Sequence, residues 1–246
     1  MIKVENIDVW GFEHAIRGMR NPKNSWDKSD SVHTLICDEC TRHLCDKCKE
    51  LSDEHGIYEV IGPNDLKLAR SLYQGGPEHR KFMRQIFVSM DIIAPLYLWK
   101  EMDQYRIGVT TDSCSTMHTI HKKEFTLDDF SVEHLIDKEM NSIEGDPESV
   151  FIEMQEGYSM DVMRLIIDAL NNYRQLFLKT KDKKYWWQMI QLLPSSYNQK
   201  RTVTMNYENA VNMIRQRENH KLDEWREFVK VLRGLPYLEE IMGDKK

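Results

Sequence analysis

Long hydrophobic runs are missing from this 246-residue chain: the longest, around "IIAPLYLW", is far short of a bilayer span and contains Pro95. No membrane association is therefore expected. An excess of basic charge is missing too. The formal net charge is -6 and the pI is ≈ 5.9, which argues against a dedicated nucleic-acid binder. A nucleotide site remains compatible with this balance, because a few local arginines suffice for one phosphate. The opening "MIKVENIDVWG" lacks the basic and apolar run of a secretory leader, so a cytoplasmic location is the expectation. Internal repeats and low-complexity segments are also absent. What is present is ordinary: 41% hydrophobic and 30% charged residues, enough for one large domain with a substantial core.

Cysteine is scarce except in "CDECTRHLCDKC", where Cys37, Cys40, Cys45 and Cys48 have the spacing C-x2-C-x4-C-x2-C. In a reducing compartment such clusters bind metal more often than they form disulfides. Zinc prefers four thiolate or imidazole ligands in a closed tetrahedral site, and His43 could replace a cysteine. Free loop thiols and an iron–sulfur cluster are the alternatives. A closed four-thiolate zinc has no open coordination position, so it would be a brace and not a catalyst.

The chain's punctuation gives a coarse map. Residues 1–9 read as a strand and Phe12 to Met19 as a short helix, followed by a polar stretch from Asn21 to Asp53. A helix is expected from Asn64, as N-cap, to Gly75-Gly76. Arg84 to Ile93 alternates as a strand, Pro95 opens a helix, and "RIGVTTDSCSTMH" reads as a hydroxyl-rich loop. A short helix is expected near 128–140. The longest helix follows, with an apolar stripe of Val162, Leu165, Ile166, Ala169, Leu170, Tyr173 and Phe177. "KKYWWQMIQLLP" is a further helix, "KRTVTMNY" a strand, and two charged helices close the chain. A few strands among many helices, without βαβ alternation, indicate an α+β fold.

Two further segments carry candidate chemistry. His118, His121 and Glu124 would share one face of a helix and could hold a metal, although a solvated face beside Lys122 and Lys123 is the plainer reading. The strand ending at Asn206 leads into a helix presenting Asn212 and Arg217, residue types that suit a phosphate or a heterocycle edge as well as capping.

At this last segment the chain resembles the flavin-dependent thymidylate synthases. "LP" at Leu193-Pro194, the T-x-N of Thr204-Met205-Asn206 and the helix leading to Arg217 carry the likeness. Upstream, "APLYLWKEMDQYRIGVTTDSCSTMH" is similar to the family's segment that leads into its R-H-R signature, and the amino-terminal strand and helix ending "RGMR" have a similar layout. The signature itself departs: Gln104-Tyr105-Arg106 stand at the R-H-R positions, and Asp112, Cys114, Thr116 and Met117 stand further along where the family has an acid, serine, arginine and tyrosine.

The resemblance implies a small, mainly antiparallel sheet with flanking helices in a single domain spanning 1–246, interrupted by a cysteine-rich insertion at about 21–60. It implies FAD as cofactor, contacted by Arg106, Asn206 and Asn212. It also implies a pyrimidine nucleotide such as dUMP, contacted by Asp112, Ser113, Cys114 and Arg217. The reaction implied is a reductive one-carbon transfer with folate and NADPH as further partners, in a homotetramer. The alternative is a non-catalytic homologue that kept the fold and binds a nucleotide or a partner.

Overall fold

Val88, Met90, Ile92 and Ala94 are buried, while Phe87, Ser89, Asp91 and Ile93 between them are not, and this two-residue period builds the central strand of the fold. The computed structural model describes residues 2–35, 57–137 and 147–243. Its strands are β1 (Lys3–Trp10), β2 (Val32–Leu35), β3 (Ile57–Val60), β4 (Phe87–Pro95), β5 (Val109–Ser113) and β6 (Asn198–Asn206). The main sheet runs β1-β4-β6-β5 and is antiparallel throughout, while β2 and β3 form a separate antiparallel pair. The helices are α1 (Phe12–Arg20), α2 (Pro63–Gln74), α3 (Leu96–Met102), α4 (Thr116–Thr119), α5 (Pro147–Thr180), α6 (Lys183–Leu192), α7 (Tyr207–Arg217), α8 (Asp223–Arg233) and α9 (Leu238–Met242). Among the described residues no helix is long and apolar enough to cross a membrane.

Among the described residues the larger core covers one face of the sheet. Val88, Met90 and Ile92 of β4 and Val203 and Met205 of β6 join Tyr207, Met213, Trp225, Phe228 and Leu238 in the larger core. A second cluster gathers Ile120, Phe125 and Phe130 under Met163, Ile167 and Leu170 of α5 and Met189 of α6. The opposite sheet face carries the stacked rings of Trp10 and Phe87 at one end and is polar around Asp91. There Asp91 accepts hydrogen bonds from Thr202 Oγ1 (2.6 Å) and Asn6 Nδ2 (2.9 Å) and pairs with Lys200 (3.0 Å), which together hold its carboxyl down at about 2.

The structure departs from the sequence expectations at several joints. Residues 109–113, expected in a loop, form edge strand β5, whose side chains are mostly exposed and so carry no apolar alternation. Of the helix expected near 128–140, the described residues, up to 137, form only a 3-10 turn at Leu127–Asp129. A reciprocal Thr126–Asp129 cap closes that turn, and Phe130 then bridges to Tyr197. Helix α2 is capped at Gly62 with Pro63 in its first turn; the N–H of Asn64 is bound by the Asp30 carboxylate instead (2.8 Å). Arg80–Gln85 is a 3-10 turn, so β4 starts later than the alternation suggested. Within the α5 stripe, Leu170 is buried but Leu165 is 60% exposed, because the apolar residues span two faces of the helix.

Candidate functional site

The site is built where β6 ends and α7 begins. Asn206, the last residue of β6, is the N-cap of α7: its Oδ1 accepts the backbone N–H of Asn209 at 3.0 Å. Asn209 in turn donates from Nδ2 to the carbonyl of Ile107 at 2.8 Å. Asn209, its backbone held by the Asn206 cap, pins the loop that joins α3 to β5. Gly108 lies in that loop at φ +76°, and a Cβ there would stand 2.8 Å from Asn209 Oδ1 and 3.0 Å from Asn206 Nδ2. A glycine is required on both counts.

Arg106, on the same loop, is exposed and donates only through Nε to the Asp103 carbonyl (3.0 Å), leaving the ends of its guanidinium toward solvent. Asn212 is half-buried farther along α7, and its amide has no hydrogen-bond partner among the described residues. Oδ1 of Asn209 is buried without a partner, an orphan acceptor beside the loop. Arg217, at the end of α7, is committed. Its Nε donates to Tyr105 Oη (2.9 Å), its Nη1 pairs with Glu101 (3.2 Å), and its guanidinium lies 4.9 Å from the Trp225 ring centre.

The structure therefore gathers Arg106, Asn206, Asn212 and Arg217 around one loop and one helix. It does not bring Asp112, Ser113 and Cys114 into that group. In register, Asp112 faces Thr202, four residues along β6 from Asn206 and so roughly 13 Å away on the open sheet face. Ser113 faces Arg201. Exposed Cys114 Sγ lies 3.7 Å from Thr119 Oγ1. Asn209 is the residue that sequence reasoning missed. The N-x-x-N spacing at the start of α7, together with an unexplained glycine at 108, was the available signal.

The metal readings fare differently. Cys37, Cys40, Cys45 and Cys48 lie outside the described residues. Among the described residues no group of three or more histidine, cysteine or acidic side chains could hold a metal ion. His118, His121 and Glu124 do not share a helical face, since α4 ends at Thr119, and the His121 ring packs edge-on to Phe177 at 5.0 Å.

No protein-family model matches the sequence, and no curated protein matches it. Solved structures do. A structure of thymidylate synthase X (ThyX) from Helicobacter pylori with FAD and dUMP matches with a TM-score of 0.60 at 16% identity, covering 98% of this chain and 97% of that one. A second structure, the flavin-dependent thymidylate synthase ThyX from the same organism complexed with FAD and dUMP, matches with a TM-score of 0.56 at 16% identity, covering 97% of each chain. The chain has the ThyX fold. The match runs nearly end to end. At this identity the likeness describes the path of the backbone and leaves each side chain to be argued on its own chemistry.

Proposed function

We propose that this protein is a divergent flavoprotein of thymidylate-synthase type, binding FAD and a pyrimidine nucleotide such as dUMP for a reductive one-carbon transfer or a related reaction. The carrying observation is the end-to-end likeness to two structures solved with FAD and dUMP. The residues at the β6–α7 corner fit such a group: an orphan acceptor at Asn209, an unengaged amide at Asn212 and an open guanidinium at Arg106 surround one pinned loop. Arg106, Asn206 and Asn212 would hold the flavin, which when bound supplies the redox chemistry. Arg217 is assigned to the nucleotide; Asp112, Ser113 and Cys114, which lie apart from it within one chain, would join it only from a second copy in the homotetramer. Charge-assisted bonds from Arg106 are the strongest single contribution this corner offers to an anionic ligand.

One observation favours the second reading, a non-catalytic homologue. Arg217 is already neutralised by Glu101 and stacked on Trp225, so a phosphate must displace an existing ion pair to reach it. Incubating the purified protein with FAD, with and without dUMP, separates these. Retained flavin absorbance and conversion of dUMP to a methylated product support the enzyme. A colourless protein sinks the flavoprotein reading, and a coloured protein inert toward dUMP leaves the second reading or a changed substrate.

Assembly into a homotetramer belongs to the same proposal, and α5 supports it. Tyr158, Val162 and Leu165 are exposed at helical spacing, and Leu176 extends the same stripe. Exposed Asp168 and Asp161, the latter already paired with Arg164 (2.7 Å), flank its first half and exposed Lys179 its second half. Two copies packed antiparallel about a two-fold axis would set acid against base along a shared apolar seam.

A further inference from the structure

A cleft of roughly 330 Å³ lies between α1 and the turns that follow it. None of the residues assigned above to flavin or nucleotide lines it. Its volume is at the lower end of small-molecule sites, about 300–1,000 Å³.

The floor is rigid and electrically satisfied. Arg20 is buried, with Nε donating to Asp65 Oδ1 (2.6 Å) and Nη1 to the Ser25 carbonyl (3.2 Å). The other Asp65 oxygen accepts the hydroxyls of Ser29 and Ser31 (2.7 Å each) and the N–H groups of Asp30 and Ser31 (3.1 Å each). One wall is a fixed aromatic plane. Trp26 is 52% exposed, an unusual cost for indole, and its ring N–H donates to Asn21 Oδ1 at 2.8 Å. Buried Ile16 adds apolar surface. At the rim, one residue on, Arg17 is exposed and its guanidinium has no acceptor among the described residues, while Glu13 one turn earlier already has a partner.

We infer that this cleft binds a planar aromatic anion, its ring stacked on Trp26 against Ile16 and its carboxylate or phosphate held by Arg17. The wall's indole is held in place before binding, so little side-chain freedom is lost when a ring stacks on it. Arg17 is free to form a bidentate pair, which selects a planar or tetrahedral anion over a neutral ring.

The test is calorimetric titration of the full-length chain, before any flavin is added, with benzoate and phenyl phosphate. Benzyl alcohol and inorganic phosphate serve as the two half-ligands. At least one aromatic anion should bind saturably and about tenfold or more tighter than either half-ligand. Arg17→Gln, at an exposed helix position, should weaken the anions by about tenfold and leave benzyl alcohol unchanged. Trp26→Leu should weaken every aromatic probe. Asn21→Ala, which keeps the indole but releases it, should weaken them by a smaller factor. The inference is overturned if neither aromatic anion binds saturably, if Arg17→Gln binds them as well as the wild type, or if benzyl alcohol binds as tightly as benzoate.

Discussion

Asp65 is wholly buried and yet ionised, because its surroundings outweigh its burial. Burial pushes its carboxyl up, but hydrogen bonds from Ser29, Ser31 and Arg20, with the Arg20 charge, hold it below the usual carboxylate range. Breaking such a pair from one side leaves a buried charge alone. Asp65→Asn should therefore lower stability by about 3–5 kcal/mol, measured by urea unfolding near neutral pH. The sign of the pH dependence follows from the depressed pKa. The carboxylate's contribution is fully present above its unfolded value of about 3.9 and is lost as pH falls through the lower folded value. The gap between wild type and Asp65→Asn should thus narrow below about pH 4, and a gap that stays constant into acid would refute the assignment. None of this was legible in the sequence. Arg20 and Asp65 are 45 residues apart, and periodicity reports which residues are buried together only when they are apolar.

At the scale of elements, what could be read was what had an apolar period. β1 and β4 were placed from alternation, α5 from its helical stripe and α2 from helical spacing and its Gly75-Gly76 stop, although its cap is Gly62 and not Asn64. β5 escaped because Thr110, Thr111, Asp112 and Ser113 are exposed and its core-facing contribution is Val109 alone. Its position comes from pairing with β6, a long-range fact that no local pattern encodes. The candidate site was half legible for the same reason. Asn206 announces itself as a helix cap, whereas Asn209 matters only because β5 and its loop fold back onto it. Gly108→Ala tests that corner. The left-handed conformation costs an L-residue about 1–2 kcal/mol, and the new methyl would displace the Asn206 and Asn209 amides. Thermal unfolding should show a loss of that size, and on the flavin reading FAD retention should fall with it. Unchanged stability would mean the loop is not pinned as described.

For the whole molecule, the sequence conveyed the α+β class and the ThyX-like layout, but it left open which apolar surfaces face inward. The α5 stripe reads as one face in sequence and divides into two in the fold. Leu170, with half-buried Ile166, Tyr173 and Phe177, packs into the second core beside Met163 and Ile167, while Val162 and Leu165, with Tyr158 before them, remain outside it. Residues exposed in this way, on a helix 34 residues long, form a seam of about 27 Å between Tyr158 and Leu176. With Asp161 already neutralised by Arg164, Asp168 and Lys179 are complementary across the seam when the second copy runs antiparallel, which is the geometry of a closed two-fold assembly and not of an open fibre. Leu165→Glu places a carboxylate in the middle of that seam, next to its own symmetry mate and to Asp161 and Asp168. The variant should shift to a smaller species in light scattering after size exclusion, while its helicity is retained and its unfolding free energy as a dilute monomer stays within about 0.5 kcal/mol of wild type. Wild type and variant of equal mass at matched concentration would show that α5 faces solvent in the native assembly and would remove its support for a tetramer.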